Sequence, residues 1–225
     1  MASCFRSPLR RLLPALATAA FLSPAAWAGP VISRAAIDAM LGVGASKETF
    51  ESYPVAAGSN VGVGTSLSST STPNGQSAGL IAPGVTLSTS NGVVLWQGAN
   101  YFKLPTKTIG ANIGTDIIID FTVFTNAVGL DLLNYGGYAA TYDVTAFGLD
   151  DTTILQSFTG INFPKAVTPT FFGFEHAAGV GRVSVVAVAG FGPVIDNLTF
   201  GTVPEPASLA LVGLSLLVLR VTRRV

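Results

Sequence analysis

One cysteine and one histidine in 225 residues narrow the chemistry before any motif is sought. Cys4 precedes the first apolar run, so the chain behind it has no residue for a disulfide or a thiolate metal site. A lipidated cysteine would have to follow that run, so a lipoprotein start is excluded as well. His176 alone cannot build a histidine metal cluster, and a Ser-His-Asp arrangement would have to use it. Charge is scarce too, at 11% of residues. Half of the basic residues sit at the two ends: Arg6, Arg10 and Arg11 before the first apolar run, Arg220, Arg223 and Arg224 after the last. Residues 29–201 keep six basic residues against eleven acidic ones, a poor match for a phosphate backbone, and nucleic acid is excluded as a partner. No Gly-rich phosphate loop opening a helix occurs, and the one Gly-x-Ser-x-Gly spacing, Gly75-Gln76-Ser77-Ala78-Gly79, lies in a Gly/Ser/Thr-rich stretch rather than at a strand-to-helix elbow.

What is present begins with targeting signals. A basic start, an apolar stretch from Leu12 to Leu22 and the small-residue ending Ala26-Trp27-Ala28 make a secretory signal peptide over residues 1–28, with cleavage before Gly29. Pro14 and Pro24 argue against a buried helix there. The partner implied is a Sec-type export machinery.

At the other end, Val203-Pro204-Glu205-Pro206-Ala207-Ser208-Leu209 runs into an apolar segment, 207–221, closed by Arg220, Arg223 and Arg224. A Pro-Glu-Pro motif, an apolar stretch and a basic cluster in that order resemble the PEP-CTERM sorting signal over residues 202–225. The resemblance implies export in a Gram-negative bacterium, recognition by an exosortase-type protease, transient anchoring in the inner membrane, and release to the cell surface or extracellular matrix. Fifteen helical residues rise roughly 22 Å against about 30 Å of hydrocarbon, a marginal transmembrane helix that suits a removable anchor. The basic flanks of both apolar segments prefer the cytoplasm and place everything between them outside.

Residues 29–48 form an N-terminal segment in which Ser33 caps a short helix and Gly42 stops it. Residues 49–201 are expected to form one all-β domain, an antiparallel β-sandwich. Within it, Gly, Ser and Thr make up more than half of residues 58–92, which reads as polar loops with strand pieces around Val61, Leu80 and Val85. Asn91-Gly92 between Val85-Thr86-Leu87 and Val93-Val94-Leu95-Trp96 predicts a type I′ hairpin. The clearest strand is 116–124, with Ile117, Ile119, Phe121 and Val123 on the buried face and Asp120 outside. Further strands are expected at 128–132, 139–147, 153–158, 170–176, 182–188 and 194–200, and Gly148-Leu149-Asp150-Asp151 reads as a hairpin loop.

An opening Thr49-Phe50-Glu51 strand, the 116–124 strand, a Tyr142-Asp143-Val144 hairpin and a closing Ile195-Asp196-Asn197-Leu198 strand resemble, in their order, the jelly-roll sandwiches of secreted carbohydrate-binding modules. That resemblance implies a jelly roll in which the first and last strands pair. Glu51, Asp196 and Asn197 are then placed to share a structural calcium ion, which needs several hard oxygen ligands. Trp96, Tyr101, Tyr135 and Tyr138 are the candidates for stacking on a sugar. Phe172 and Phe174 share a strand face and read as core. Asp150 with Asp151, or Asp116 with Asp120, are the neighbouring carboxylates a glycosidase would need, but the first pair has turn chemistry and the second lies on a solvent face. His176 reads as the surface end of an aromatic strand. The reading favours a non-enzymatic secreted or cell-surface protein associated with exopolysaccharide, with a lectin-like module as the alternative and a polysaccharide-active enzyme behind both.

Overall fold

The computed structural model describes residues 30–31, 33–111 and 115–204. In chain order come β1 (Pro30–Val31), α1 (Arg34–Leu41), β2 (Ser46–Glu48), β3 (Asn60–Gly62), β4 (Ser66–Ser68), β5 (Val85–Ser88), β6 (Leu95–Gln97) and β7 (Thr108–Gly110). The second half holds β8 (Asp116–Phe121), β9 (Ala127–Leu133), β10 (Ala140–Phe147), β11 (Ile154–Phe163), β12 (Thr170–Glu175), β13 (Arg182–Ala189) and β14 (Val194–Gly201).

All pairing among these strands is antiparallel and divides them between two sheets. One has the order β1-β12-β9-β14-β7-β6-β3 with β2 also on β14, the other β11-β10-β13-β8-β5-β4. From β7 onward the logic is that of one long folded hairpin. Its arms pair as β10 with β11, β9 with β12, β8 with β13 and β7 with β14, successive pairs falling mainly on opposite sheets. That nesting is a jelly roll. The tip of the hairpin is the turn after β10, where the Gly148 amide donates to the Thr153 carbonyl at 2.8 Å.

Alternation on each strand makes the core. Tyr142, Val144 and Ala146 of β10, Ile117 and Ile119 of β8, and Leu130 and Leu132 of β9 are fully buried or nearly so. They pack with Trp96, Phe174, Leu198 and Phe200 in one cluster between the sheets. Burial of this apolar surface, at about 25 cal/mol per Å², is the main force holding the sheets together.

Of the N-terminal segment, residues 30–31 and 33–48 are part of this structure. Ser33 Oγ accepts the Ala36 amide at 3.2 Å as the N-cap of α1, and Gly42, at φ 58°, ends it. Ile37 and Leu41 of α1 pack with Ala127 on the outer face of the first sheet. The helix thus covers a face that would otherwise meet water.

Three expectations are corrected. The opening strand is Ser46–Glu48, not 49–51, because Phe50 turns to φ 57° with its amide on Glu48 Oε1 and its ring in the core. Asn91-Gly92 does not close a hairpin: β5 pairs with β4 and β8 in one sheet, β6 with β3 and β7 in the other. The chain crosses between layers there, so both flanking strands bury an apolar face without touching each other. The long strand stops at Phe121, which is half-buried, and leaves Val123 and Phe124 exposed, since the chain must bend to reach the first sheet at β9. Asp120 is half-buried and ion-paired with Arg182 at 2.6 Å.

Candidate functional site

Aromatic side chains from three loops converge where β9 stops and β14 starts. The loop between β6 and β7 supplies Tyr101 and Phe102, the β9–β10 loop Tyr135 and Tyr138, and the β13–β14 turn Phe191. Their rings form a continuous set of edge and tilted contacts: Phe102 lies 5.4 Å from Tyr135 and 5.8 Å from Tyr138, and Tyr138 lies 4.3 Å from Phe191. Leu104, Leu133 and Val194 form the floor.

The cluster has a rigid base and an open rim. Tyr135 is buried, its hydroxyl accepting from Gln97 Nε2 and donating to the Ala111 carbonyl at 3.2 Å, and burial pushes its acid up. Phe102 and Tyr138 form the rim, 38% and 41% exposed. Phe102 is presented by backbone that bulky residues avoid, with φ 44° at Phe102 and 66° at Lys103. Such positions cost on the order of 1–3 kcal/mol each and persist where their surroundings hold them. Here the Gly136 amide donates to the Phe102 carbonyl at 2.9 Å and the Asn100 amide to the Leu104 carbonyl at 2.7 Å.

An open groove of about 490 Å³ lies beside Tyr138, lined by Ala139, Ala140, Thr141, Asn162, Phe163, Pro164 and Ala189. Thr141 and Asn162 meet at 3.0 Å and supply its polar groups. Exposed aromatic rings next to a groove with an amide and a hydroxyl offer the two contacts a sugar ring takes, an apolar face and a hydrogen bond.

Of the residues expected to stack on sugar, Trp96 is corrected. It is completely buried, stacked on Tyr53 at 5.0 Å with its indole N–H on the Phe50 carbonyl at 2.8 Å. A tryptophan on the inward face of β6 is core by alternation. Tyr101, Tyr135 and Tyr138 are brought together, Tyr138 exposed and Tyr135 beneath it. Phe102 and Phe191 were not legible: the positive φ that lifts Phe102 leaves no mark in the sequence, and only the Gly190-Phe191-Gly192-Pro193 turn hinted at an aromatic held at a tip.

The expected calcium residues lie in a polar seam on the outer face of the first sheet. Buried Asp196 accepts Thr106 Oγ1 at 2.8 Å and the Asn197 amide at 2.7 Å. Asn197 Nδ2 donates to Asp131, which pairs with Arg34 at 2.8 Å, while exposed Glu51 accepts the Lys107 amide at 3.0 Å. Burial first, then the charges of Asp131 and Glu51, push the Asp196 acid up. Both Asp196 oxygens accept from protein donors, as does Glu51 Oε1. Among the described residues no group of three or more His, Cys, Asp and Glu side chains is arranged to hold a metal ion.

The carboxylates weighed for catalysis are engaged elsewhere. Asp150 accepts the amides of Thr152 and Thr153 and the Thr153 hydroxyl, which holds its acid well below the usual range. Asp151 faces Arg182 at 3.5 Å, and Asp116 accepts the amide and hydroxyl of Ser90 at 2.8 Å. His176 directly follows β12, its amide on the Asn126 carbonyl. Pro204 is exposed just after β14; Glu205, Pro206, the 207–221 segment, Arg220, Arg223, Arg224 and the signal-peptide residues Ala26, Ala28 and Gly29 lie outside the described residues.

Residues 202–224 match the PEP-CTERM protein-sorting motif. The chain carries that motif, which implies export, transient anchoring at the C-terminus and processing by an exosortase. No curated protein matches the sequence at significance. Among solved structures, the K1 cleaved adhesin domain of Lys-gingipain from Porphyromonas gingivalis W83 is similar at 14% identity, with 70% of this chain and 98% of that chain covered and a TM-score of 0.36. A family 29 carbohydrate binding module from Piromyces equi is similar at 11% identity, over 63% of this chain and 89% of that one, with a TM-score of 0.35. An Arthrobacter globiformis T6 isomalto-dextranase complexed with panose is similar at 14% identity, over 53% of this chain and 24% of that one, with a TM-score of 0.32.

Proposed function

We propose that this PEP-CTERM-bearing chain is a non-catalytic secreted or cell-surface protein that associates with exopolysaccharide, and that it does so as a lectin-like module through the aromatic end of its sandwich. The observation that carries the reading is the pairing of Phe102 and Tyr138 as an exposed aromatic rim on a rigid base. Monomeric proteins keep few large aromatics in water without use for them, and a strained loop that holds one outward is a further cost. The groove beside Tyr138 supplies hydrogen-bonding groups at the right place, Thr141 and Asn162. The non-catalytic part is supported by the fate of the carboxylates, which are turned into a hairpin, ion-paired or hydrogen-bonded rather than convergent on that groove.

The test is binding of the released protein to exopolysaccharide and to a panel of purified glycans. Phe102→Ala with Tyr138→Ala is expected to weaken binding by at least tenfold, about 1.4 kcal/mol, while leaving the melting temperature within a few degrees. Binding unchanged by both substitutions would remove the aromatic rim from the account.

A further inference from the structure

Four apolar side chains outside the core share the end of the sandwich opposite the aromatic rim. Val43 is fully exposed, and Val123, Phe124 and Leu149 are each exposed by half or more. They belong to three separate connections, 42–45, 122–126 and 148–153, yet they lie around one place. A β-carbon added at Gly179 would stand 2.9 Å from Leu149 and 3.0 Å from Phe124, so these two side chains flank the same glycine. Gly201 lies beside Gly44, the neighbour of Val43.

The chain leaves the domain at this place. Thr202 Oγ1 donates to the Phe124 carbonyl at 3.1 Å, the Asn126 amide to the Gly201 carbonyl at 3.0 Å, and the Val203 amide to Asn126 Oδ1 at 2.7 Å. From Pro204 to Ala207, where the apolar tail begins, three residue steps span at most about 11 Å. The N-terminal side emerges here too: Pro30 pairs with Phe174, Phe174 with Val128, and Val128 on its other side with Phe200. Both apolar segments of the sequence are therefore attached to one end of the domain.

We propose that this end rests on the lipid surface while the tail is anchored, with Val43, Val123, Phe124 and Leu149 entering the interface. The proposal rests on the anchored state that the sorting motif implies. A mainly apolar tail segment of fifteen residues, 207–221, short for a bilayer, draws its exit point towards the membrane. Tethering holds the four side chains at high effective concentration against the lipid, so individually weak contacts are occupied. The charges at this end point to zwitterionic lipid: Asp150 is exposed and ionised, Asp151 is paired with Arg182, and no lysine or arginine stands free among the three connections. Glycan binding at the other end stays accessible in this orientation.

The exported chain from Gly29 with its tail intact, which contains no cysteine, is labelled with an environment-sensitive fluorophore at Phe124→Cys or, as the distal control, at Lys165→Cys, and reconstituted in phosphatidylcholine vesicles. The label at 124 is expected to shift to the blue and to be quenched by doxyl-labelled lipid at least threefold more strongly than the label at 165. Val43→Ser with Leu149→Ser is expected to reduce that quenching. Protein that floats with the vesicles while the label at 124 keeps its emission in water would overturn the proposal and leave anchoring standing; protein that does not float would overturn both. A blue shift that grows with protein density and resists lipid quenching would assign the surface to a second copy instead.

Discussion

Two buried acids set the behaviour of the domain with pH. Glu48 and Asp196 both titrate above the ordinary carboxylate range, and burial is the largest cause for each. Glu48 is partly compensated by the Phe50 and Ala82 amides at 2.5 and 2.7 Å, Asp196 by Thr106 and Asn197. Because the folded state keeps these protons after the unfolded chain has lost them, their contribution is fully present below the unfolded value, about 4, and is lost as pH rises through the folded one. Asp150 has the opposite sign, its contribution present above the ordinary value and lost in stronger acid. We expect the melting temperature to fall as pH rises above about 4, and the slope to flatten in Glu48→Gln and Asp196→Asn. A slope that the two substitutions leave unchanged would place the titrating groups elsewhere. Sequence reasoning marked Asp196 but passed over Glu48, because a glutamate on a three-residue edge strand gives no sign that its carboxylate turns inward onto two amides.

At the scale of elements, what could be read was what local chemistry decides. Ser33 and Gly42 bracket α1 as the capping rule requires, and the alternation of β8 placed Ile117 and Ile119 inside. What could not be read was set by which layer a strand joins. Asn91-Gly92 has the composition of a tight hairpin, yet the flanking strands belong to different sheets, a choice made by long-range pairing with β8 and β7. Val123 continues the apolar pattern of β8 but falls past its last residue, so its burial was misjudged while its chemistry was not. Leu130→Ala, in the middle of β9, should cost about 2–5 kcal/mol by opening a cavity between the sheets. Phe124→Ser should stay within about 0.5 kcal/mol of the parent, as a surface position does. Denaturant unfolding of the two variants checks this, and a large loss for Phe124→Ser would mean that its ring supports the fold.

The whole molecule is polar in the directional sense. Both terminal apolar segments of the sequence join one end of the jelly roll, and the aromatic rim stands at the other, separated by the eight residues of β10, about 26 Å. The sorting tail was legible because its function resides in linear chemistry, Pro204-Glu205-Pro206 followed by apolar and then basic residues. The aromatic site was legible only in part, since Tyr135 and Tyr138 are neighbours in sequence while Phe102 and Phe191 reach them through the fold. Its use depends on delivery to the outside of the cell, and that delivery is the claim on which the rest stands. Cell fractionation of the parent chain and of a Pro204→Ala, Glu205→Ala, Pro206→Ala variant tests it directly: the parent should reach the surface or medium as a shortened form, and the variant should be exported but retained full-length in the inner membrane, whereas a shortened variant outside the cell would contradict the account.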